Sequence, residues 1–180
     1  MKLTPKEIMD IFVHRKDVFA RQQINGAYFP VRRPITIEDI KKHLKGEHTV
    51  GLYCLNYDNT VKWACVDIDA KDTSVPELRR SRYEAKIIYH IFEGFARILE
   101  SSGRRGYHVW IFFKNPVQAE YAQRFVKARL NRFGFNRHEV FPKQTELNKN
   151  RKFGNLVKLP LAKHRMTGKF SKILKMEGVK

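Results

Sequence analysis

Cysteine is almost absent. Cys54 and Cys65 are the only two, and no CxxC pair exists. A zinc knuckle or ribbon needs close-spaced soft ligands, so the chain carries none. The two thiols stand in apolar, strand-like runs, which suits free buried cysteines in a reducing compartment better than a disulfide. Long apolar runs are also missing: nothing approaches the ~20 residues that span a bilayer. The N-terminus is polar and charged rather than an apolar signal segment. Repeats and low-complexity tracts are lacking. The expectation is a cytoplasmic, nucleoid-associated monomer with no membrane partner.

Acidic residues are scarce too. Asp and Glu number 18 against 36 Lys and Arg, a formal net charge of +18. Such an excess costs self-repulsion in a compact state and suits a polyanionic partner. The basic residues run along the whole chain with aromatics between them, which favours nucleic acid or nucleotides over a mere solubility device. Hydrophobic residues make up 42%, including 13 Phe, enough for one globular core or two small modules sharing one.

Thr4-Pro5-Lys6-Glu7 combines an N-cap, a first-turn proline and a capping-box glutamate. It predicts a helix carrying Ile8, Ile11, Phe12 and Phe19, ended or turned by Asn25-Gly26. Thr36 and Asp39 start a second short helix through Leu44, with Gly46 as its stop. Val50 to Leu55 and Val61 to Ile68 read as a β-hairpin around Asp58-Asn59. Pro76 to Ser102 is predicted as the longest helix. Tyr107 to Phe113 follows as a strand ended by Asn115-Pro116, and Ala119 to Phe133 as an amphipathic helix. Val140-Phe141 is a short strand, 148–152 a polar turn, and Phe153 to Leu161 a final strand. The chain after Arg165 is basic and weakly patterned. The fold class is α+β: a palm-like sheet, as in RNA-recognition modules, with helices on one face. Residues 1–48 form a helical, partly irregular N-terminal module on the core, 49–168 the palm, and 169–180 a basic tail leading toward a further C-terminal region.

Three clusters carry chemistry. In Val66-Asp67-Ile68-Asp69, residues i and i+2 of a strand share a face, so Asp67 and Asp69 project together. Two adjacent carboxylates repel unless a cation sits between them, and a pair of Mg²⁺ or Mn²⁺ ions is the usual solution in phosphoryl transfer. An exposed edge decoration has the same pattern. Ser102-Gly103-Arg104-Arg105-Gly106-Tyr107-His108 offers glycines for close backbone approach and forked guanidinium donors for phosphates. A basic loop followed by a core histidine would look alike. In Asn155 to His164, Lys158 stands in an apolar run before Pro160. It needs an anionic partner there, unless the strand is a solvent-facing edge.

In order and spacing these clusters resemble the three signature motifs of the archaeo-eukaryotic primase superfamily. SGRRGYHVW is similar to the SGRRGxHxW of replicative primase small subunits, and KLPLAKH to their K-x-P-x-x-x-H. The phrases FVHRKDVFARQ, HTVGLYCL, EVFPKQTEL and FGNLVKLPL resemble bacterial primase-polymerases of transposon-linked conflict operons and CRISPR-associated systems more closely still. The resemblance covers roughly residues 12 to 168. It implies two metal ions on Asp67, Asp69 and a third carboxylate at Glu146, where the family usually has Asp. It implies a nucleoside triphosphate (ribo or deoxy) held by Ser102, Arg104, Arg105, His108, Lys158 and His164. Single-stranded or primer-template DNA is the implied partner, with Arg15, Arg21, Arg32 and Arg33 as candidate backbone contacts and Tyr53 as a candidate sugar contact. The implied activity is template-directed primer synthesis and extension, in CRISPR adaptation or mobile-element replication. The alternatives are a gap-filling polymerase of end-joining repair and a non-catalytic RNA-recognition-type module. Against the last, Asp67 and Asp69 would repel RNA phosphate from a neighbouring strand. A relaxase-like nuclease lacks its His-x-His pair here.

Overall fold

The computed structural model describes residues 3–149 and 152–179. Helix α1 (Pro5–Phe12) starts as its sequence dictates: the Thr4 hydroxyl accepts from the Glu7 N–H at 3.2 Å, and the Glu7 carboxylate accepts from the Thr4 N–H. It ends at Phe12. Phe19, predicted on the same helix, instead opens strand β1 (Phe19–Gln22), which pairs with β2 (Tyr28–Val31) across Asn25-Gly26. Asn-Gly is a hairpin signal, and it prevails over the chance helical spacing of Phe19. Helix α2 (Ile37–Leu44) has the expected capping box from Thr36 and Asp39.

Strands β3 (Val50–Tyr53) and β4 (Thr60–Asp69) exist as predicted but do not form a hairpin. β3 pairs with β1 and with β8 (Leu156–Lys158), whereas β4 pairs with β6 (Gly106–Gln118) and β7 (Glu139–Phe141). The turn at 54–59 carries the chain from one sheet to the other. The predicted 76–102 helix divides into α3 (Val75–Ile91) and strand β5 (Ala96–Ser101), with Gly94 at φ +90° between them. β5 is buried on both faces, so it shows none of the alternation that marks a strand. β6 runs through Pro116, because the register slips between Val61 and Trp63 and leaves that stretch without a regular ladder. Helix α4 spans Ala119–Arg132. The final strand is shorter than predicted, and the predicted turn over 148–152 falls partly on residues 150 and 151, outside the described residues.

Two antiparallel sheets result, ordered β2-β1-β3-β8 and β7-β4-β6-β5-β9, the last strand being β9 (Lys172–Glu177). Helices α3 and α4 cover one face of the five-stranded sheet, where Val66, Ile68, Val109 and Ile111 meet Ala85, Ile88, Val126 and Leu130. The opposite face packs Trp63, Cys65, Trp110 and Phe112 against Phe12, Val50, Leu52 and Val157. Each such large side chain contributes ~1.5–3 kcal/mol by leaving water. The Trp63 indole N–H donates to the Phe12 carbonyl at 2.8 Å, locking α1 over the sheet. Both cysteines are buried and free.

Strand β9 lies within the segment that the sequence marks as a weakly patterned tail. It pairs with β5 from Arg97 to Ser101, and the Arg97 guanidinium donates to Glu177 at 2.6 Å. Deleting residues 172–180 exposes the β5 edge and unpairs buried Arg97. A loss of about 2–4 kcal/mol is expected, read as a lowered midpoint in urea unfolding.

His43 ties α2 to both sheet strands below it. Its Nε2–H donates to the Pro160 carbonyl at 2.9 Å, and its Nδ1 accepts from the Val50 N–H at 3.0 Å. Only the neutral ring satisfies both. Burial, followed by neighbouring cations, pushes its pKa down to about 4. A histidine depressed in the folded state favours folding fully above its unfolded pKa, and that support is lost as pH falls from ~6.5 toward 4. Stability is therefore expected to drop by about 3 kcal/mol across that window from this group. Urea midpoints measured from pH 7 to 4 check it, with a flatter curve in His43→Gln.

Candidate active site

The ends of β4, β5 and β6, with the start of β7, meet at one end of the five-stranded sheet. In cross-strand register Glu139 of β7 lies beside Asp67 of β4, Asp67 beside His108 of β6, and His108 beside Glu100 of β5. Directly opposed residues share a face, so this row points toward the four-stranded sheet. From that sheet Lys158 faces back: its ammonium donates to the Ser102 carbonyl and is only 9% exposed.

The loop over 102–106 is a tight β5–β6 turn rather than a helix-to-strand joint. Ser102 N–H donates to the Gly106 carbonyl at 2.9 Å, and the Ser102 hydroxyl accepts from the Gly106 N–H at 3.3 Å. Gly106 must be glycine, because a Cβ there would collide with the Asp69 carboxylate. Gly103 has φ +82° and lies against the backbone of 169–171. The Thr167 hydroxyl donates to the Gly103 carbonyl at 3.0 Å. The segment after Arg165 thus braces this loop.

Charge is organised along the row. Burial pulls the His108 imidazole down, but Glu100, 2.9 Å from its Nδ1, outweighs this and, with Asp67, holds it above the usual range. Burial pushes the Glu100 carboxyl up, but His108 and then Lys158 hold it below its ordinary value. The two form an ion pair, and Glu100 is fully buried. Its same oxygen accepts from the Trp110 indole N–H at 3.0 Å. Nδ1 is thereby occupied, and Nε2 is turned toward Asp67, 3.7 Å away. The Asp67 carboxyl is raised by burial; His108 opposes that, while Asp69 and Glu139 add to it. Burial lowers the Lys158 ammonium, and Glu100 and Asp67 pull it back.

A cavity of about 220 Å³ gathers most of the predicted residues: Asp67, Asp69, Ser102, Arg104, His108, Lys158 and His164, with Gln22 and Tyr28. Carboxylates stand on one wall and cations on the other. Other predicted residues lie elsewhere. Glu146 is exposed and lines neither cavity bounded by Asp67 and Asp69; Glu139, beside Asp67, lines one of them. The Arg105 guanidinium donates to the Lys71 carbonyl at 2.9 Å and is absent from the cavity lining. Tyr53 is buried against Phe153 in the four-stranded sheet, 5.3 Å between ring centres. Tyr28 reaches the cavity instead, its ring over Gly51, where any Cβ would strike it.

Arg15 is withdrawn from solvent, its side chain 2% exposed, pairing with Asp17 and packed under Tyr57 and Phe153. That burial contradicts its expected role as a backbone contact. Arg21 and Arg33 both pair with Asp39, and Arg32 is exposed. The sequence reading missed Glu100, hidden in a run taken for helix, and Glu139. For Glu139, the alternation of Glu139, Val140 and Phe141 was available as a signal.

The donors fit hard divalent cations. Asp67, Asp69 and Glu139 are all-oxygen ligands, the raised Asp67 carboxyl records uncompensated repulsion, and Gly106 leaves room beside Asp69. Among the described residues no three His, Cys, Asp or Glu side chains are already closed into a metal cage. No helix, again among the described residues, is long and apolar enough to cross a membrane.

Two sheets, helices on one face and this cleft define a primase-type palm. Over residues 6–178 the chain matches the family model of the archaeo-eukaryotic primase domain of TOTE conflict systems, and it belongs to that family. Among solved structures, it is similar to the archaeo-eukaryotic primase domain of the cyanophage S-2L primase-polymerase. Identity is 12% and the TM-score 0.57, over 91% of this chain and 82% of that one. The polymerase domain of Mycobacterium tuberculosis ligase D, solved in complex with DNA, matches at 10% identity and a TM-score of 0.47, over 94% and 72%. A search of curated proteins returns no match.

Proposed function

We propose that the chain is a template-directed nucleotidyl transferase that synthesises and extends primers from nucleoside triphosphates. One observation carries this reading: carboxylates Asp67 and Asp69 and phosphate-directed groups Ser102, Arg104, His108, Lys158 and His164 face each other across a single cavity. Family membership supports it.

Asp67, Asp69 and Glu139 would hold two Mg²⁺ or Mn²⁺ ions, which when bound supply charge neutralisation and a more acidic 3′-hydroxyl. Glu139 replaces Glu146 in this role because of its register with Asp67. The reaction joins a 3′-oxygen to the α-phosphorus, breaks that phosphorus's bond to the pyrophosphate oxygen, and releases the hydroxyl proton to solvent. Arg104 and Lys158 neutralise the triphosphate, and Nε2–H of His108 donates to it. Charge spread toward the leaving group meets donors already in place, so little reorganisation is needed at the moment of reaction. Tyr28 and Gln22, rather than Tyr53, are placed to meet the sugar. Arg32 remains the exposed template candidate of the N-terminal module.

A non-catalytic RNA-recognition role fits poorly. The sheet face that stacks bases in such modules is filled here by Trp63, Trp110 and Phe112, packed beneath α1 and the second sheet. A gap-filling repair polymerase would use the same cleft, and its starting substrate separates it from a primase. Family membership favours a conflict or mobile-element setting over CRISPR adaptation.

Single labelled nucleotides offered on templates of defined sequence, with Mg²⁺ or Mn²⁺, test the reading. Incorporation of only the complementary nucleotide is expected, on bare templates for a primase and on primed or gapped ones for an extender. Incorporation that ignores the template base would contradict it.

A further inference from the structure

Across Asp67 and Asp69 lies a second cavity of about 340 Å³, lined by both carboxylates and by Lys71, Glu77, Arg80, Arg137, His138 and Glu139. Apart from the two aspartates it shares no lining residue with the first cavity. β4 is flanked by β7 on one side and β6 on the other. Glu139 comes from the β7 side and His108 from the β6 side, so the aspartates form a ridge between two chambers.

We infer that the second chamber seats the nucleotide presenting the attacking 3′-hydroxyl, and that Lys71 and Arg137 grip the phosphate on its 5′ side. This rests on the proposed nucleotidyl transfer and names the seat of its second substrate.

The reason is stereochemical. Phosphoryl transfer places attacking and leaving oxygens roughly in line on opposite sides of the phosphorus. The groups suited to triphosphate and pyrophosphate all line the chamber on the His108 side. The attacking oxygen must then arrive from the other side, where the only route past the ridge is through the chamber of Lys71 and Arg137.

That chamber's wall is built for an anion. Glu84, its side chain 8% exposed, anchors it from α3: Arg80 donates to it at 2.8 Å, Arg137 pairs with it, and His138 lies 3.1 Å away. Arg80 is also held by Glu77 at 2.6 Å. Three cations, Lys71, Arg80 and Arg137, thus stand against two acids, Glu77 and Glu84. Arg137 keeps half of its side chain exposed despite its buried partner, and Lys71 is exposed at the mouth. A guanidinium pre-oriented by a buried carboxylate and still open to solvent is suited to a phosphate oxygen. The phosphate is either an internucleotide diester at a strand end or the 5′-triphosphate of a first nucleotide.

The test uses Lys71→Glu and Arg137→Ala. Lys71 is on an exposed loop, so its substitution leaves the core untouched even if loss of Arg137 uncovers Glu84. Equilibrium binding of DNA with a recessed 3′ end is measured over a salt series. Lys71→Glu is expected to weaken it about tenfold and to reduce the log–log salt slope by about one or more. Affinity for a free nucleoside triphosphate should not change. Kinetics then identify the source: KM rising for primer alone assigns strand ends, and KM rising also for the first nucleotide of dinucleotide synthesis assigns the triphosphate as well. Either result supports the seat. Unchanged strand affinity and salt slope overturn it, as does weakened triphosphate binding in its place. If the parent protein incorporates nothing, the proposed reaction falls, and the binding series still decides the seat.

Discussion

Asp67→Asn/Asp69→Asn is expected to lower nucleotide incorporation by about 10³-fold or more, the scale of several kcal/mol of lost charge stabilisation. The substitution keeps the shape of both side chains, so the cleft survives. It also removes two of three mutually repelling carboxylates. Asp67 is held above its usual range by burial, with Asp69 and Glu139 adding to the shift. Without metal, the variant should therefore melt at the same temperature as the parent or higher. Loss of activity together with retained or raised stability separates a site built at a cost from one that holds the fold together. Parallel thermal melts and single-turnover incorporation check both halves. A variant that unfolds would show instead that the aspartates are structural.

The second large effect belongs to Glu100. Removing it as Glu100→Ala leaves the His108 imidazolium and the Trp110 indole N–H without their shared acceptor, and Lys158 without one of its two nearby carboxylates. Breaking a buried pair from one side costs about 3–5 kcal/mol. Glu100→Gln tests function more finely. Its amide oxygen still accepts from Trp110, but the negative charge that orients and protonates His108 is gone. The fold should persist while KM for the nucleoside triphosphate rises about tenfold, one charge-assisted hydrogen bond being worth that much. Unfolding curves and KM against kcat distinguish these outcomes. Equal kinetics in Glu100→Gln and parent would reduce Glu100 to a packing role.

Much of this architecture could be read from residues alone, for local reasons. Capping boxes at Thr4 and Thr36 are self-contained signals, and both helices start where they say. Asp67 and Asp69 share a strand face by simple alternation, and the glycine-framed loop over 102–106 lies beside them because antiparallel β4 and β6 bring those ends together. What stayed hidden was non-local. Whether β3 pairs with β4 depends on two partners far along the chain, β1 and β8. β9 is exposed and basic, and only the buried edge of β5 makes it a strand. The choice between Glu146 and Glu139 is one of register across sheet strands, which spacing along the chain does not encode. Arg15 reads as surface charge until Tyr57 and Phe153 close over it.

The most direct measurement is pyrophosphate released per nucleotide incorporated, on a homopolymer template with Mg²⁺ or Mn²⁺. The two-walled cleft predicts one pyrophosphate for each complementary nucleotide joined, and none with a mismatched nucleotide or in Asp67→Asn/Asp69→Asn. Tight binding of template and nucleotide with no pyrophosphate released under either metal would contradict it.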